Sequence, residues 1–148
     1  MQDAPDTPAE LKARALRLLV RREHSRAELA RKLAPHAESP EALQSLLLEL
    51  QQKKQLSDER YAELRAHCLS RKYGAAKIRQ DLRAHGVAGD VVSQISFEDQ
   101  LQKAKAILAR KYREAATTRE EKARRARFLQ SRGFSYEIIR RLVSAAEE

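Results

Sequence analysis

The stretch Ala-Lys-Ile-Arg-Gln-Asp-Leu-Arg-Ala-His-Gly (76–86) decides the fold. Ile78 and Leu82 lie four residues apart, which places both side chains on one face of an α-helix. Gly86 is predicted to end this helix in a left-handed conformation, which glycine adopts easily because it has no Cβ. The stretch is therefore predicted to be a short helix with one apolar face.

Apolar residues recur on both sides of this helix in a single register. Leu33, Leu82 and Leu129 are separated by 49 and 47 residues. Two further sets follow the same steps: Leu43, Val92 and Ile139, and Leu46, Ile95 and Leu142. The ends of the first helices of the three modules also correspond: they read Arg22-Glu23-His24, Arg71-Lys72-Tyr73 and Arg110-Lys111-Tyr112. The third match requires a longer loop after its helix, at about 113–117. Any amphipathic helical protein yields some coincidences, but several positions in one register favour a true triplication.

Start and stop signals divide the chain into nine predicted helices. The predicted N-caps are Ser25, Ser39, Ser57 or Asp58, Thr117 or Thr118, and Ser135. The predicted helix ends lie near His24 and at Gly74, Gly86 and Gly133. The helix after Ser57 is expected to bury Tyr61, Leu64 and Cys68. The predicted fold is all-α, with a disordered leader at 1–8 and three tandem three-helix modules at 9–55, 56–96 and 97–148. An elongated arrangement is expected, because tandem modules contact only their neighbours.

The composition indicates a polyanionic partner. The formal net charge is +9 and the sequence pI is about 10.0, which favour nucleic acid, an anionic membrane surface or an acidic protein groove. Cys68 is the single cysteine, so an internal disulfide is impossible and a reducing compartment is expected. The acidic, proline-containing start is unlike a signal peptide, and no apolar run approaches the roughly 20 residues of a membrane helix. We expect a cytoplasmic protein without a membrane partner.

The sequence offers no pattern for enzyme chemistry. No glycine-rich loop carries the Gly-Lys-Ser/Thr of a phosphate-binding loop, and one cysteine with four scattered histidines makes no zinc pattern. His67 and Cys68 are neighbours, but adjacent helix positions point about 100° apart, so one surface and one core residue are expected. The chain is therefore predicted to be no enzyme and to bind no cofactor and no metal.

Positive charge is distributed unevenly along the chain. Residues 9–34 carry eight Lys/Arg against three Asp/Glu, 71–85 five against one, and 117–141 eight against three, whereas 38–60 has a net charge of −2. An Arg-rich helix is ordinarily a soluble surface whose stems pack on leucine. Three such helices, each the second of its module, favour a continuous anion-binding surface. The candidate contact residues are Arg26, Arg31, Lys32, Arg71, Lys72, Lys77, Arg79, Arg83, Lys122, Arg124, Arg125, Arg127 and Arg132.

Aromatic residues are few, and most fall at predicted helix ends or on apolar stripes. Core or cap contacts are therefore expected for most of them. The alternative, stacking on the bases of a single strand, would use Tyr73 or Tyr112.

Several segments resemble the RecX regulatory family. They are Ser-Asp-Glu-Arg-Tyr-Ala (57–62), Arg-Lys-Tyr-Gly-Ala-Ala-Lys-Ile-Arg-Gln-Asp-Leu (71–82), Arg-Phe-Leu-Gln-Ser-Arg-Gly-Phe-Ser-Tyr-Glu-Ile-Ile (127–139) and His-Ser-Arg-Ala-Glu-Leu-Ala-Arg-Lys-Leu (24–33). The likeness runs from about residue 10 to 146. The chain departs from the family pattern in loops and caps: Ala75 replaces a proline, Lys54 and Gln55 replace glycine and an aromatic, and Arg113 replaces a glycine.

The resemblance implies modules related to helix-turn-helix domains, in an elongated, curved arrangement. It implies a negative regulator that binds in the groove of the RecA–single-stranded DNA filament. Such a protein inhibits the ATPase and strand-exchange activities of RecA, and thereby modulates homologous recombination, DNA repair and the SOS response. A modular basic body suits this role, since weak contacts to successive subunits add through high local concentration. We expect a monomer that binds bare single-stranded DNA weakly and without sequence preference.

Two other functions stay open. A helix-turn-helix transcription regulator would read base edges, for which Arg79 and Gln80 could serve, but no long apolar dimer helix is evident. An adaptor on acidic proteins would need no DNA. A salt titration on random single-stranded DNA separates these functions. The sequence leaves open whether inhibition works by filament capping, by destabilisation or by blocking the second DNA.

Overall fold

A computed structural model describes residues 4–144 of the chain, with side chains as far as Val143. Residues 1–3 and 145–148, which the sequence analysis assigns to the leader and the third module, lie outside the described residues. Between residues 4 and 144 there are nine α-helices, one 3-10 helix and no strand. The helices are α1 (Pro8–Arg21), α2 (Arg26–Leu33), α3 (Pro40–Gln52), α4 (Asp58–Leu69), α5 (Ala75–Ala84), α6 (Gly89–Gln94), α7 (Gln100–Lys111), α8 (Arg119–Ser131) and α9 (Tyr136–Ser144), with a 3-10 helix at Ala34–His36.

Side-chain hydrogen bonds confirm the predicted helix starts. The hydroxyls that accept from the amide three residues on are those of Ser25, Ser39, Ser57, Thr118 and Ser135. The Asp58 carboxylate, the alternative cap for α4, accepts the Arg26 amide at 2.7 Å. Asp58 therefore caps α2, from 32 residues away in the sequence.

The predicted helix ends are confirmed at three places and wrong at one. Gly86 and Gly133 have φ angles of 83° and 94°, the left-handed region that favours glycine. The first helix ends at Arg21, close to the predicted end. The sequence also predicts that Gly74 ends α4, but that helix ends at Leu69. Gly74 is required for close approach instead, since a Cβ there would lie 2.7 Å from the Gly133 carbonyl oxygen.

The predicted buried face of α4 is only partly correct. Tyr61 is buried, but Leu64 is 55% exposed, and Cys68 and its neighbour before it in the sequence are both exposed. The buried positions are Ala62 and Ala66. Helical periodicity identifies a buried face mainly from large apolar residues such as leucine. In α4 the buried face consists largely of alanines, whose small side chains let other elements approach closely.

Separate apolar cores support the first three and the last three helices. The core of α1, α2 and α3 contains Leu11, Ala15, Leu29, Leu33, Leu43, Leu46, Leu47, Leu50 and Leu56. The core of α7, α8 and α9 contains Ala104, Ile107, Leu129, Phe134 and Ile139. Full burial of one leucine stabilises the fold by about 1.5–3 kcal/mol, so these cores supply much of the driving force for folding.

The sequence register corresponds to real burial. Leu33, Leu82 and Leu129, at equivalent positions of α2, α5 and α8, are all 0% exposed. The second set, Leu43, Val92 and Ile139, is buried as well. In the third set only Leu46 is buried, and Ile95 lies beyond the end of α6. The loop before α8 spans 112–118, which confirms the longer loop predicted there.

The chain forms two compact units, each described by itself below. Unit 1 contains the described residues of Met1–Leu64 and Leu82–Gln94. Unit 2 contains the described residues of Arg65–Asp81 and Ile95–Glu148. Because these ranges divide α4 and α5, the units do not coincide with the three-helix modules.

Equivalent junctions connect consecutive second helices. In unit 1 the Ser25 hydroxyl, before α2, donates to the His85 carbonyl, after α5, at 2.9 Å. In unit 2 the Gly74 amide, before α5, donates to the Arg132 carbonyl, after α8, at 2.6 Å. The donors are 49 residues apart and the acceptors 47, which are the two steps of the sequence register. The repetition therefore includes the contacts between repeats.

A third equivalent carbonyl ends this series. His36 precedes His85 by 49 residues, and its carbonyl accepts the Asp6 amide at 2.8 Å. The Asp6 carboxylate in turn accepts the Arg14 guanidinium at 2.8 Å. Asp6 is therefore held in place, although the sequence predicts a disordered leader there. At the His36 carbonyl Asp6 is thus the donor, in the place that Ser25 and Gly74, which precede α2 and α5, take at the other two carbonyls.

Candidate functional site

The net positive charge of the chain belongs to one of the two units. Unit 1 has 12 Lys/Arg and 12 Asp/Glu, a net charge of zero. Unit 2 has 18 Lys/Arg and 9 Asp/Glu, a net charge of +9. The sequence predicts basic segments in all three modules, and the first of them, at 9–34, lies in unit 1. The acidic segment 38–60, which also lies in unit 1, offsets its positive charge.

Many cations of unit 1 are paired with carboxylates. The pairs and their shortest N···O distances are Arg22–Glu28 at 2.6 Å, Arg14–Asp6 at 2.8 Å, Arg60–Glu23 at 2.8 Å and Lys12–Glu49 at 3.4 Å. In the first pair both Nη atoms of Arg22 donate to the largely buried Glu28. These hydrogen bonds lower the pKa of Glu28 to about 2. These pairs neutralise the four cations that form them, whereas other cations of unit 1 are exposed without an ion pair to a described residue.

Two of the predicted contact residues of unit 1 are occupied within it. An Arg26 Nη donates to Gln44 at 2.6 Å, and its Nε is buried without a hydrogen-bond partner. The Lys32 ammonium lies 3.0 Å from Nε2 of His24. The other two candidates in this unit, Arg31 on α2 and Arg83 on α5, are exposed and make no ion pair with any described residue.

His24 is a buried histidine that connects two of these cations. Its Nδ1 lies 3.1 Å from the Arg22 carbonyl, and its Nε2 faces the Lys32 ammonium. A neutral ring that donates from Nδ1 and accepts at Nε2 satisfies both contacts. Burial lowers the pKa of His24, which favours this neutral form.

The remaining candidates lie in unit 2, on α5, on α8 or beside them. Those that are exposed and make no ion pair with a described residue are Arg71, Lys72, Lys77, Arg124 and Arg127. Arg71 and Lys72 lie in the turn before α5 and not on a helix. Arg79 is half-buried, with its guanidinium carbon 4.6 Å from the centre of the Phe97 ring. Lys122 on α8 is half-buried as well.

Unit 2 brings three rings and three cations together in a cation–aromatic cluster. Its members are Tyr73, Lys111, Tyr112, Arg125, Phe128 and Arg132. The cation-to-ring distances are 4.5 Å for Arg125–Tyr112, 4.3 Å for Lys111–Phe128, 5.8 Å for Lys111–Tyr112, 5.1 Å for Arg132–Phe128 and 5.4 Å for Arg132–Tyr73. The Tyr112 and Phe128 rings meet edge to face at 6.0 Å. Each such cation–ring contact contributes about 0.5–1 kcal/mol where exposed.

The arginines around this cluster hydrogen-bond to uncharged acceptors. Arg125 donates to the Glu114 carbonyl at 2.6 Å, and Arg132 to the Lys72 carbonyl at 3.5 Å. Arg110 donates to the Arg71 carbonyl. A ring or a carbonyl holds a guanidinium in place without neutralising it. No cation of the cluster forms an ion pair with a described residue, in contrast to the paired cations of unit 1. The carboxylate of Glu121 is nevertheless close enough to be affected, since the Thr117 amide and, less strongly, the charge of Arg125 lower its pKa.

Comparison with protein families matches three consecutive parts of the chain. Residues 12–47 match "RecX, first three-helix domain", residues 57–94 "RecX, second three-helix domain" and residues 98–143 "RecX, third three-helix domain". The chain belongs to the RecX family. The three-helix repeats that the sequence predicts are therefore the three RecX domains.

Curated relatives carry the same family name. The chain is 39% identical to "Regulatory protein RecX" of Ralstonia nicotianae over 146 residues, which cover 97% of this chain and 92% of that protein. It is 39% identical to the protein of the same name from Herbaspirillum seropedicae, covering 96% of this chain and 94% of the relative. The chain is thus similar to regulatory proteins over nearly its whole length.

Solved RecX structures share the fold. The crystal structure of RecX from Lactobacillus salivarius superposes with a TM-score of 0.83 at 19% identity, covering 95% of this chain and 96% of that chain. A second crystal structure of regulatory protein RecX gives a TM-score of 0.72 at 22% identity, covering 93% of this chain and 74% of that chain. At these identities the likeness concerns the fold alone.

Some residues of this RecX-family surface are not found by the sequence analysis. The sequence singles out Arg110 and Lys111 only as part of a repeat motif. In the structure Lys111 belongs to the cation–aromatic cluster, and Arg110 lies beside it. Tyr136, expected at a core or cap position, is 77% exposed at the start of α9. Tyr136 lies three residues before Ile139, a spacing that helical periodicity places on the same face, so the sequence contains no signal of its exposure.

Among residues 4–144 no group of three or more His, Cys, Asp or Glu is placed to hold a metal ion. No helix within the same range has the length and apolarity needed to cross a membrane.

Proposed function

We propose that this RecX-family chain is a negative regulator that binds the RecA filament on single-stranded DNA. The observation that carries the proposal is the net charge of +9 in unit 2, whose cluster arginines have uncharged partners. Such a surface suits DNA phosphates or acidic side chains in a filament groove. Binding there inhibits the ATPase and strand exchange of RecA, and bridging of protomers or blocking of the second DNA would each account for the inhibition.

The proposal includes a monomer in the cytoplasm and weak, sequence-independent contact with single-stranded DNA. Tandem repeats favour this mode of binding, because several weak contacts to neighbouring subunits add through a high effective concentration. Contacts to phosphates position a protein without reading sequence. No cofactor and no catalytic residue take part.

The alternative, a helix-turn-helix transcription regulator, finds less support in the surface of α5. It needs side chains free to reach base edges in the major groove. Arg79, its best candidate, lies over the Phe97 ring at 4.6 Å. Tight binding of one duplex sequence, little changed at high salt, would favour this alternative over the regulator.

The test is the ATPase activity of RecA on single-stranded DNA, measured with increasing amounts of the protein. The parent protein is expected to inhibit. The double reversal Arg124→Glu with Arg127→Glu places like charges against the filament, so at least roughly tenfold more protein should be needed for the same inhibition. Both side chains are exposed without an ion pair to a described residue, so folding should be unchanged.

The matched control is Arg17→Glu with Arg21→Glu. These arginines are exposed on α1, so the same change of charge occurs in unit 1. The control should inhibit like the parent. Absence of inhibition by the parent contradicts the proposed function. Equal inhibition by the parent and by the unit 2 reversal contradicts the assignment of the working surface.

A further inference from the structure

We propose that the cation–aromatic cluster of unit 2 binds single-stranded nucleic acid by stacking on its bases. This inference deepens the proposed function, on which it rests for the presence of a single strand at the filament. It goes beyond a phosphate-binding surface, because it assigns base contact to named side chains. The contacts concerned lie within unit 2.

The first argument is the arrangement of planar groups in the cluster. Contacts run in series from Arg125 through Tyr112 and Phe128 to Arg132 and Tyr73, at separations of 4.5, 6.0, 5.1 and 5.4 Å. The three rings and both arginines are half-exposed. Unpaired bases stack on aromatic rings and on guanidinium planes, so a row of such groups can receive successive bases.

The second argument is the charge state of the cluster. Arg125 and Arg132 donate to carbonyl oxygens, and Lys111 makes no ion pair with a described residue. The positive charge therefore remains available for phosphates that accompany stacked bases.

The third argument is the set of free cations next to the cluster in the sequence. Arg71 and Lys72 directly precede Tyr73, and Arg124 directly precedes Arg125. Their side chains are exposed and make no ion pair with a described residue. Proteins that bind single strands without sequence preference combine such cations for the backbone with rings for the bases. This combination favours a single strand over a duplex, whose bases already stack on one another.

The test compares two labelled oligonucleotides of about 15 residues, within the usual range of site sizes: oligo(dT) and an abasic strand with the same number of phosphates. Binding is measured by fluorescence anisotropy without RecA. The parent is expected to bind oligo(dT) at least roughly tenfold more tightly, since one stacked base contributes about 1–3 kcal/mol. Equal affinity for the two strands, or binding of neither at low salt, overturns the proposal.

A charge-conserving variant locates the stacking. Arg125→Lys with Arg132→Lys keeps both charges but removes two planar groups, so the preference for oligo(dT) should fall at least roughly fivefold, while the three rings retain part of it. The matched control is Arg17→Lys with Arg21→Lys on α1, two exposed side chains that make no ring contact among the described residues. The control should keep the preference. The proposal is wrong if the control loses it, or if the cluster variant keeps it.

A second measurement uses the parent cluster and therefore does not depend on the folding of a cluster variant. The chain has four tyrosines and no tryptophan, and Tyr61 is buried. In a Tyr136→Phe background, Tyr73 and Tyr112 are the tyrosines whose fluorescence a bound strand can reach and quench. Oligo(dT) should quench it and the abasic strand should not, whereas equal quenching by both overturns the proposal.

The outcomes separate this inference from the proposed function. A protein that prefers oligo(dT) but does not inhibit the RecA ATPase supports base stacking and contradicts the regulator role. A protein that inhibits the ATPase but binds the two strands equally contradicts base stacking alone.

Discussion

The Gly74 amide donates a hydrogen bond of 2.6 Å to the Arg132 carbonyl, which joins the start of α5 to the end of α8. Ser25 and His85 form the equivalent junction in unit 1, at 2.9 Å. At each junction the helix that ends does so at a left-handed glycine, Gly133 or Gly86. At Gly74 a backbone amide before one helix pairs with a carbonyl after another, whereas at Ser25 the side-chain hydroxyl is the donor. In both junctions the contact satisfies a carbonyl at a helix C-terminus, which a free helix end leaves unpaired.

Substitution of the junction glycine should destabilise the protein. In Gly133→Ala the new Cβ would lie 2.5 Å from the backbone nitrogen of Lys77, at a φ of 94°. The left-handed conformation alone costs a non-glycine residue about 1–2 kcal/mol, and the contact adds to it. We expect a lower midpoint of urea denaturation. Gly89→Ala is the control, because no atom lies within 4 Å of the new Cβ and Gly89 has no positive φ, so the urea midpoint should not fall. Equal effects of the two substitutions would contradict the junction.

Truncation of a buried residue of the repeat register should lower the free energy of unfolding. Leu82 is 0% exposed, so Leu82→Ala should lower the free energy of unfolding by about 2–5 kcal/mol. Leu64→Ala, at a position 55% exposed, should change it by less than about 0.5 kcal/mol. Urea denaturation followed by circular dichroism measures both. A Leu82→Ala protein as stable as the parent would contradict the burial of the register.

Acid should destabilise unit 1 in two steps. Burial lowers the pKa of His24 below its ordinary 6.5, and the Arg22 guanidinium lowers the pKa of Glu28 from 4.5 to about 2. Both groups bind fewer protons in the folded state than in the unfolded state. Their contribution to the free energy of unfolding is therefore complete above the unfolded pKa and is lost as the pH falls. The loss should begin below about pH 6.5 for His24 and below about 4.5 for Glu28. Urea midpoints measured from pH 7 to pH 3 test this.

The variant Glu28→Gln should remove the second step. At pH 7 it should cost about 1–2 kcal/mol, toward the low end for a charged hydrogen bond, because Arg22 is half-exposed. Its unfolding free energy should then fall less steeply between pH 4.5 and pH 3 than that of the parent. Glu63→Gln, at an exposed position without an ion pair to a described residue, should follow the parent curve. Parallel curves for Glu28→Gln and the parent would contradict the assignment.

The salt dependence of binding should report the location of the charge. For a single strand, log affinity falls by about 0.7 per log unit of salt for each phosphate neutralised. Arg124→Gln with Arg127→Gln should therefore reduce the slope by about 1.4 on oligo(dT). Arg17→Gln with Arg21→Gln removes the same charge from unit 1 and should leave the slope unchanged. Equal losses for both pairs would show that unit 1 binds the strand as well.

The sequence by itself determined the helices, their register and the total charge. Caps and helical periodicity act within a few residues, so Ser25, Ser39 and Gly86 could be assigned their roles without a structure. Leu33, Leu82 and Leu129 recur at steps set by the repeat, and equivalent positions bury equivalent side chains. The same local patterns carried the resemblance to the RecX family.

Only the tertiary structure decided which cations are neutralised and which are not. Arg22 and Arg125 look alike in the sequence, yet one binds the carboxylate of Glu28 and the other the ring of Tyr112. A long, flexible guanidinium side chain takes its partner from elements brought near it by folding, and periodicity contains no information on that choice. The role of Asp58 as the cap of α2 and the close approach that requires Gly74 depend on distant segments in the same way. Local chemistry therefore determines the elements, whereas packing between distant segments determines the charge that the surface presents.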